Sequence, residues 1–137
     1  MEVMNAVFPQ PGQLEEFFAH DDDGPFVMMN LVRFKERATY DDDPGVDISG
    51  REAYERYAAE MESLVGVRGG RIIYHGDVTG ILLGSVEEMW DAVALVAYES
   101  PAAFLEQMGS PERLALERHR SAGLAGQLNI RLKTRPA

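Results

Sequence analysis

The sequence has no cysteine among its 137 residues. Thiol chemistry, iron–sulfur clusters and zinc sites built from thiolates are therefore excluded. The absence fits a reducing compartment, although it would also suit an oxidising one. A chain of this length buries roughly two-thirds of its unfolded surface, so we predict one domain, residues 1–137, that needs neither disulfide nor metal to fold.

Positive charge and long apolar runs are also scarce. The chain has 13 Lys and Arg against 23 Asp and Glu, and its net charge of −10 repels phosphate backbones and anionic lipids. No apolar run approaches the roughly eighteen residues of a membrane-spanning helix, and residues 1–12 lack the pattern of a secretory signal. We therefore predict a soluble cytoplasmic protein with no nucleic-acid or membrane partner.

The stretch at 25–35, PFVMMNLVRFK, is apolar at nearly every position. Alternation along a strand places Phe26 and Met28 on one face and Val27 and Met29 on the other. Because neither face is polar, we predict a central strand that is covered on both sides. The helices of so short a chain can cover only one side, so we expect a second copy of the protein to cover the other.

Helix signals occur in four places along the chain. Apolar spacing predicts a helix at 13–20, inside an N-terminal extension at 1–24. Ser49 and Glu52 have capping-box spacing, and an apolar stripe follows them. Ser100 and Ser110 each precede a proline at the first position of a helix. The remaining predicted helices run from 50 to the glycines at 66–70, over 101–108 and over 111–122.

Further segments are typical of strands. Residues 71–74 and 81–83 predict strand on either side of a glycine-rich bend, which leaves one bent strand and a small hairpin as alternatives. Residues 90–98 again have two apolar faces, and 128–133 alternate in the manner of an edge strand.

The resulting order is helix, β, α, β, β, α, β, the split βαβ sandwich of ferredoxin-like α+β folds. We predict a four-stranded antiparallel sheet with an extra N-terminal helix. Right-handed crossovers place both main helices on one face. The other face would expose a larger apolar patch than soluble monomers carry, so we predict a homodimer with two sheets back to back.

Five segments also carry a likeness to known sequences: PFVMMNLVRFK, GREAYERYAAEM, the following GG, WDAVALVAYESPAAFLEQM and HRSAGL. Together they resemble an uncharacterised family of the dimeric α/β barrel superfamily, over nearly the whole chain. The resemblance implies a ferredoxin-like subunit and a homodimer whose two sheets close a barrel. The superfamily includes cofactor-independent monooxygenases, lactone isomerases, dehydratases and haem-handling proteins, many with a pocket between sheet and helices. Fold alone does not choose among these activities.

Three polar side chains are candidates for catalysis. Asn30 lies on an apolar strand face, where a buried amide needs partners, so it either ties a neighbouring carbonyl or lines a pocket. His119 lies late in the last helix, where it either caps the helix or serves a ligand. Arg120 could hold a carboxylate or enolate, with a solvated salt bridge as the alternative.

The candidates for ligand binding are mostly aromatic. Tyr54 and Tyr57 lie on the inward stripe of the long helix, where core packing is the alternative role. Arg33 is a second cation for an acid group, and His75 could instead make a turn or interface hydrogen bond. The full set is Arg33, Tyr54, Tyr57, His75, Trp90 and Tyr98.

Two cofactor patterns are weak in this sequence. Asn30, Trp90 and His119 resemble the constellation of haem-degrading monooxygenases of the superfamily, which is a minor alternative. Residues 41–52 have the spacing of a calcium loop, but Val46 replaces the required glycine and a strand precedes the loop. The three histidines, at 20, 75 and 119, have no close partner in sequence. We predict no metal and no cofactor.

We therefore expect a protein that binds a small aromatic or carboxylate-bearing metabolite. If it is an enzyme, the reaction would be a cofactor-independent isomerisation, dehydration or oxygenation, with Asn30 and His119 managing protons and Arg120 stabilising a developing anion. The alternative is a non-catalytic dimeric binding or accessory module, in which backbone hydrogen bonds would lock Asn30. Whether the protein is an enzyme stays open from the sequence.

Overall fold

The computed structural model describes residues 2–19 and 23–136. Within them, helices and strands follow one another in the predicted order. The helices are α1 (Gln13–Ala19), α2 (Gly50–Val67), α3 (Pro101–Gly109) and α4 (Pro111–Gly123), and the strands are β1 (Phe26–Phe34), β2 (Arg71–Asp77), β3 (Ala92–Tyr98) and β4 (Leu124–Leu132). None of the helices in these ranges is long and apolar enough to span a bilayer.

The four strands form one antiparallel sheet in the order β2-β3-β1-β4. β1 is interior, as its two apolar faces predicted, and β4 is an edge strand, as its alternation predicted. The ferredoxin-like α+β fold is therefore confirmed. β4 starts directly after α4, so the chain returns to the sheet without a loop.

The caps that the sequence contains fix where the main helices begin. The Ser49 hydroxyl accepts a hydrogen bond from the Glu52 amide at 3.1 Å. Ser100 and Ser110 accept in the same way from Ala103 and Arg113, and proline follows each serine. These starts agree with the predicted ones because the caps are local signals.

One face of the sheet packs against the helices, and we call it the helix-covered face. Its core joins side chains of β1 and β3 to α2 and α3, and the buried members are Phe26, Met28, Tyr57, Met61, Val65, Val96, Tyr98 and Phe104. The ring of Phe17 in α1 packs edge-on to Phe26. His20, the end of the predicted first helix, and the acidic residues 21–22 after it lie outside the described residues.

The opposite face of the sheet, the open face, is also apolar. In β1, Val27, Met29 and Leu31 lie directly across from apolar residues of β3 and β4. Directly opposed residues share a face of the sheet, and none of these side chains is buried. The whole set is Val27, Met29, Leu31, Val93, Leu95, Ala97, Leu128, Ile130 and Leu132.

The prediction of strand at 81–83 was wrong. β2 continues through Gly76, where a bend was expected, and ends at Asp77, so residues 78–91 form a loop. Ile81, Leu82 and Leu83 are 54%, 96% and 86% exposed. Neither a bent strand nor a small hairpin forms, because β2 is complete before the apolar run begins. The strand predicted at 90–98 likewise starts two residues later, at Ala92.

Candidate functional site

A cavity of about 450 Å³ lies between the helix-covered face and helices α2 and α4. A second pocket of about 410 Å³ lies beneath the N-terminal segment at 4–10. The two pockets share Phe8, Arg120 and Gln127, among other residues, and therefore adjoin. The first cavity occupies the position, between sheet and helices, that the sequence resemblance implied.

Aromatic and aliphatic side chains form most of the cavity wall. The sheet contributes Met28, Val96 and Tyr98, and α2 contributes Tyr54 and Tyr57. Burial, reinforced by the neighbouring Tyr57, raises the pKa of both Tyr54 and Tyr98 well above the usual value of 10.0. These phenols are therefore neutral hydrogen-bond donors at physiological pH.

Helix α4 brings three charges to the cavity: Arg113, Glu117 and Arg120. Arg113 Nη2 lies 2.7 Å from Glu117 Oε1, and Arg120 Nη1 lies 3.2 Å from Glu117 Oε2. The Ser121 hydroxyl donates to Glu117 Oε2 at 2.6 Å. Burial opposes ionisation of Glu117, but the hydrogen bond from Ser121 and the two arginine charges outweigh it and lower the pKa of the carboxyl. Glu117 is therefore ionised.

A chain of amides continues from Arg120 to the middle of the sheet. Arg120 Nη2 donates to Gln127 Oε1 at 3.0 Å and to the carbonyl of Val7 at 2.7 Å. Gln127 Nε2 donates to Asn30 Oδ1 at 2.9 Å and to Asn129 Oδ1. One polar network thus joins α4, β4, β1 and the N-terminal segment along the cavity.

The donors of Asn30 are directed at the backbone. Its Nδ2 lies 3.3 Å from the carbonyl of Met28 and 3.3 Å from the carbonyl of Ala94, while its Oδ1 accepts from Gln127. The amide of Asn30 is therefore held in one orientation by β1, β3 and β4 together. It orients Gln127 within the network.

No protein-family model matches the chain, and no curated protein matches it. A dimeric α/β barrel family protein from Mesorhizobium loti, with a ferredoxin-like fold, superposes with a TM-score of 0.51 at 14% identity over 82% of this chain and 99% of its own. A dimeric ferredoxin-like protein of unknown function from Thermobifida fusca gives a TM-score of 0.55 at 12% identity over 84% and 95%.

A protein of unknown function from Rhodopseudomonas palustris is much more similar. It shares 32% identity with the chain, with a TM-score of 0.86 and coverage of 98% of this chain and 100% of its own. The chain belongs to the same family as this protein of unknown function. The two more distant likenesses, at 12% and 14% identity, show the ferredoxin-like fold alone.

In this family member, the structure brings together five of the nine residues singled out from the sequence. Asn30, Arg120, Tyr54, Tyr57 and Tyr98 all line the cavity. They do so because β1 and β3 present these positions to α2 and α4. The other four, which are Arg33, His75, Trp90 and His119, are not among its lining residues.

His119 lies on the other side of α4. Its Nδ1 is 2.7 Å from the hydroxyl of Tyr40, and its ring meets that of Tyr40 edge-on. Burial and the charges of Arg118 and Arg56 lower the pKa of His119 below its usual 6.5. His119 therefore holds the loop before α2 against α4, and it does not meet Asn30 across the cavity.

The remaining three candidates lie elsewhere on the molecule. Trp90 Nε1 donates to Asn5 Oδ1 at 2.7 Å, which ties the N-terminal segment to the loop just before β3. Arg33 pairs with Glu88 in the loop before β3. His75 is exposed on the edge strand β2. The haem-type constellation of Asn30, Trp90 and His119 is consequently not assembled around one cavity.

The acidic loop at 41–52 is used for ion pairs. Asp42 pairs with Arg118, and Asp47 lies 3.6 Å from Arg37. Within residues 2–19 and 23–136, no group of three or more histidine, aspartate or glutamate side chains lies close enough to hold a metal ion.

Sequence reasoning missed four residues of the network: Arg113, Glu117, Gln127 and Asn129. Arg113, Glu117 and Arg120 are spaced i, i+4, i+7, which places them on one face of the helix. This spacing could have predicted that the three side chains lie together. Gln127 and Asn129 were hidden because alternation does not say which face of an edge strand meets the helices. The register of Asn30 opposite Asn129 decides this.

Proposed function

We propose that this protein binds a small aromatic or carboxylate-bearing metabolite in the cavity between sheet and helices. The observation that carries the proposal is a cavity of about 450 Å³ with aromatic walls and a buried, charged network along one side. Small-molecule pockets are typically of roughly 300–1,000 Å³, mostly apolar, with a few convergent polar groups. The cavity has each of these properties.

The walls favour an apolar or aromatic ligand body. Met28, Val96 and Phe104 offer apolar surface, and removing such surface from water stabilises a complex by roughly 25 cal/mol per Å². The network favours a ligand with negative charge or acceptor oxygens, because two of its three charged members are arginines. A carboxylate on an aromatic or aliphatic body satisfies both parts.

The proposal includes a homodimer in which the open faces of two subunits pack together. The open face carries nine apolar side chains from three strands. A contiguous apolar area of this kind is typical of an interface. The Thermobifida protein, which has the same fold, is described as dimeric, and this supports the proposal of a dimer.

The second candidate function is cofactor-independent turnover of the same ligand, by isomerisation, dehydration or oxygenation. Arg120, which lines the cavity, would stabilise a developing anion. Two features favour binding without chemistry: the donors of Asn30 lie on backbone carbonyls, and His119 contacts Tyr40. Glu117, with its lowered pKa, is a weak base. We therefore place binding first.

Thermal unfolding with a panel of aromatic acids, together with haem, tests the proposal. A ligand at a hundred times its dissociation constant adds about 2.7 kcal/mol to the free energy of unfolding, so modest binders become visible. We expect hits among the acids. Absence of any hit would contradict the proposed ligand class.

Matched variants locate the binding site. Ala58 lines the cavity, whereas its neighbour Ala59 on α2 is exposed. Ala58→Trp should fill the cavity and abolish the shift, while Ala59→Trp should retain it. Hits that survive in Ala58→Trp would place the ligand elsewhere. The mass in solution tests the dimer, because a stable monomer would contradict it.

A further inference from the structure

Arg113 lies in the first turn of α4 and differs from Arg120 in its hydrogen bonding. It is only 9% exposed and, like Arg120, lines the cavity. Its Nη2 pairs with Glu117, but its Nε–H is buried and has no hydrogen-bond partner within the described residues. Arg120, in contrast, donates to Glu117, Gln127 and the Val7 carbonyl. A buried donor without an acceptor is costly, and the guanidinium of Arg113, which lines the cavity, therefore keeps hydrogen-bonding capacity that the protein does not satisfy.

The charges that line the cavity do not cancel. They comprise Arg113 and Arg120 against Glu117, so the balance is one positive charge. Glu117 counts as negative because its pKa is lowered. The protein as a whole carries a net charge of −10, and the cavity therefore has the opposite sign from the surface. A monoanion neutralises it, whereas a dianion leaves a buried negative charge.

Besides the Glu117 carboxylate, Arg113 has two phenols near it. Its guanidinium carbon lies 5.8 Å from the centre of the Tyr57 ring, and Tyr98 is close enough to Arg113 and Tyr57 to interact electrostatically with both. Burial keeps the Tyr98 phenol protonated by raising its pKa. A phenol that stays neutral, beside a guanidinium, can donate to oxygen but cannot neutralise its charge.

We propose that Arg113 binds the carboxylate of a monoanionic acid, with the apolar body of that acid against Met28, Val96 and Phe104. This inference rests on the proposed function and narrows it, because aromatic compounds without an acid group are excluded as preferred ligands. Charge-assisted hydrogen bonds from arginine to carboxylate are about twice as strong as neutral ones. The recognition is therefore directed at the acid group.

Matched acid and amide pairs test the inference by isothermal titration calorimetry. The probes are phenylacetate with phenylacetamide and 3-phenylpropionate with 3-phenylpropionamide, whose members differ in charge but barely in shape. We expect the acid to bind at least tenfold more tightly than its amide, on the order of 1.4 kcal/mol. Equal affinity would overturn the inference and leave the proposed function intact. Binding of neither member would contradict the proposed function itself.

Variants of Arg113 tie the preference to this residue. Arg113→Gln should abolish the preference for the acid, and Arg113→Lys, which keeps the charge but lacks the Nε–H, should reduce it several-fold. Arg118 is an exposed arginine on the other side of α4. The variant Arg118→Gln is therefore the control and should keep the preference for the acid. If Arg113→Gln does not fold, Arg113→Lys decides. A preference unchanged in a folded Arg113 variant would overturn the assignment.

Discussion

Helix α4 carries polar clusters on two sides. The inner cluster, along the cavity, consists of Arg113, Glu117, Arg120 and Ser121. The outer cluster consists of Arg118 and His119 with Tyr40 and Asp42 from the loop before α2. Each contains an arginine–carboxylate pair at 2.7 Å, but the inner side chains are 11% and 22% exposed and the outer ones 41% and 58%.

Burial accounts for the different roles of these two ion pairs. In the outer cluster water screens the charges, so the pair fastens a loop and does little else. In the inner cluster the charges face a cavity, where each one must be matched by a protein group or a ligand. Four consecutive residues, 117–120, are divided between the two clusters because a helix turns by 100° per residue.

Removing the carboxylate charge from each cluster in turn should give the largest difference in stability between them. Glu117→Gln leaves the buried Arg113 and the partly buried Arg120 without a counter-charge, and we expect a loss of about 3 kcal/mol in the free energy of unfolding. Asp42→Asn removes the exposed partner of Arg118 and should barely change it. Urea unfolding measures both. Equal losses would mean that burial does not distinguish the clusters.

Arg120 joins the inner cluster to the N-terminal segment. Arg120→Met loses hydrogen bonds to the Val7 carbonyl and to Gln127, and we expect a loss of about 2 kcal/mol. Ala6 and Gln127 exchange backbone hydrogen bonds at the same place. Hydrogen exchange at these two amides should accelerate.

The matched control for this variant is again on the outer side. Arg118→Met removes an arginine of the same helix without touching the N-terminal segment. Exchange at the amides of Ala6 and Gln127 should then stay as in the wild type. Protection that survives in Arg120→Met would show that Arg120 does not anchor this segment.

Removing one hydroxyl from the outer cluster should have a smaller effect. Tyr40 is buried, and its hydroxyl lies 2.7 Å from His119 Nδ1. Tyr40→Phe keeps the packing of the ring and loses this hydrogen bond, so we expect the free energy of unfolding to fall by about 1 kcal/mol. Tyr74→Phe, at an exposed tyrosine, is the control and should change nothing. No loss in Tyr40→Phe would show that His119 is not held by this bond.

Local signals explain why the fold was predictable. The serine caps at 49, 100 and 110 and the two-faced strand β1 depend on neighbours in sequence, and the elements they predicted are present. The run at 81–83 misled because apolar residues form a strand only if their backbone pairs with a neighbouring strand, and a triplet carries no local signal for that pairing. β2 pairs with β3 over 71–77, and residues 81–83 lie in the loop that joins the two strands.

The site was only partly predictable for the same reason. Asn30 and the tyrosines of α2 were found because each breaks or marks an apolar pattern within its own element. His119 and Arg120 are adjacent in sequence yet lie on opposite sides of α4, so choosing between them needs the orientation of the helix. Gln127 needs the register of β4 against β1. Neither quantity is local.

The two clusters should also separate along the pH axis. The lowered pKa of Glu117 means that its stabilisation is complete above the usual 4.5 and is lost as pH falls below it. The lowered pKa of His119 means that the unfolded chain binds the proton more readily. Its contribution is therefore complete above 6.5 and falls as pH decreases through the pKa of the folded protein.

The smallest expected change in stability comes from His119 in the outer cluster and occurs in mildly acidic solution. Between pH 7.5 and pH 5.5 the wild type should lose stability by a small amount that His119→Gln does not lose, because glutamine cannot be protonated. Urea midpoints at the two pH values measure the difference. Glu117→Gln should keep the decrease, since its own titration lies at lower pH. An equal decrease in His119→Gln and in the wild type would assign the loss of stability to another titrating group. The two sides of α4 would then not differ in their pH dependence in the way expected here.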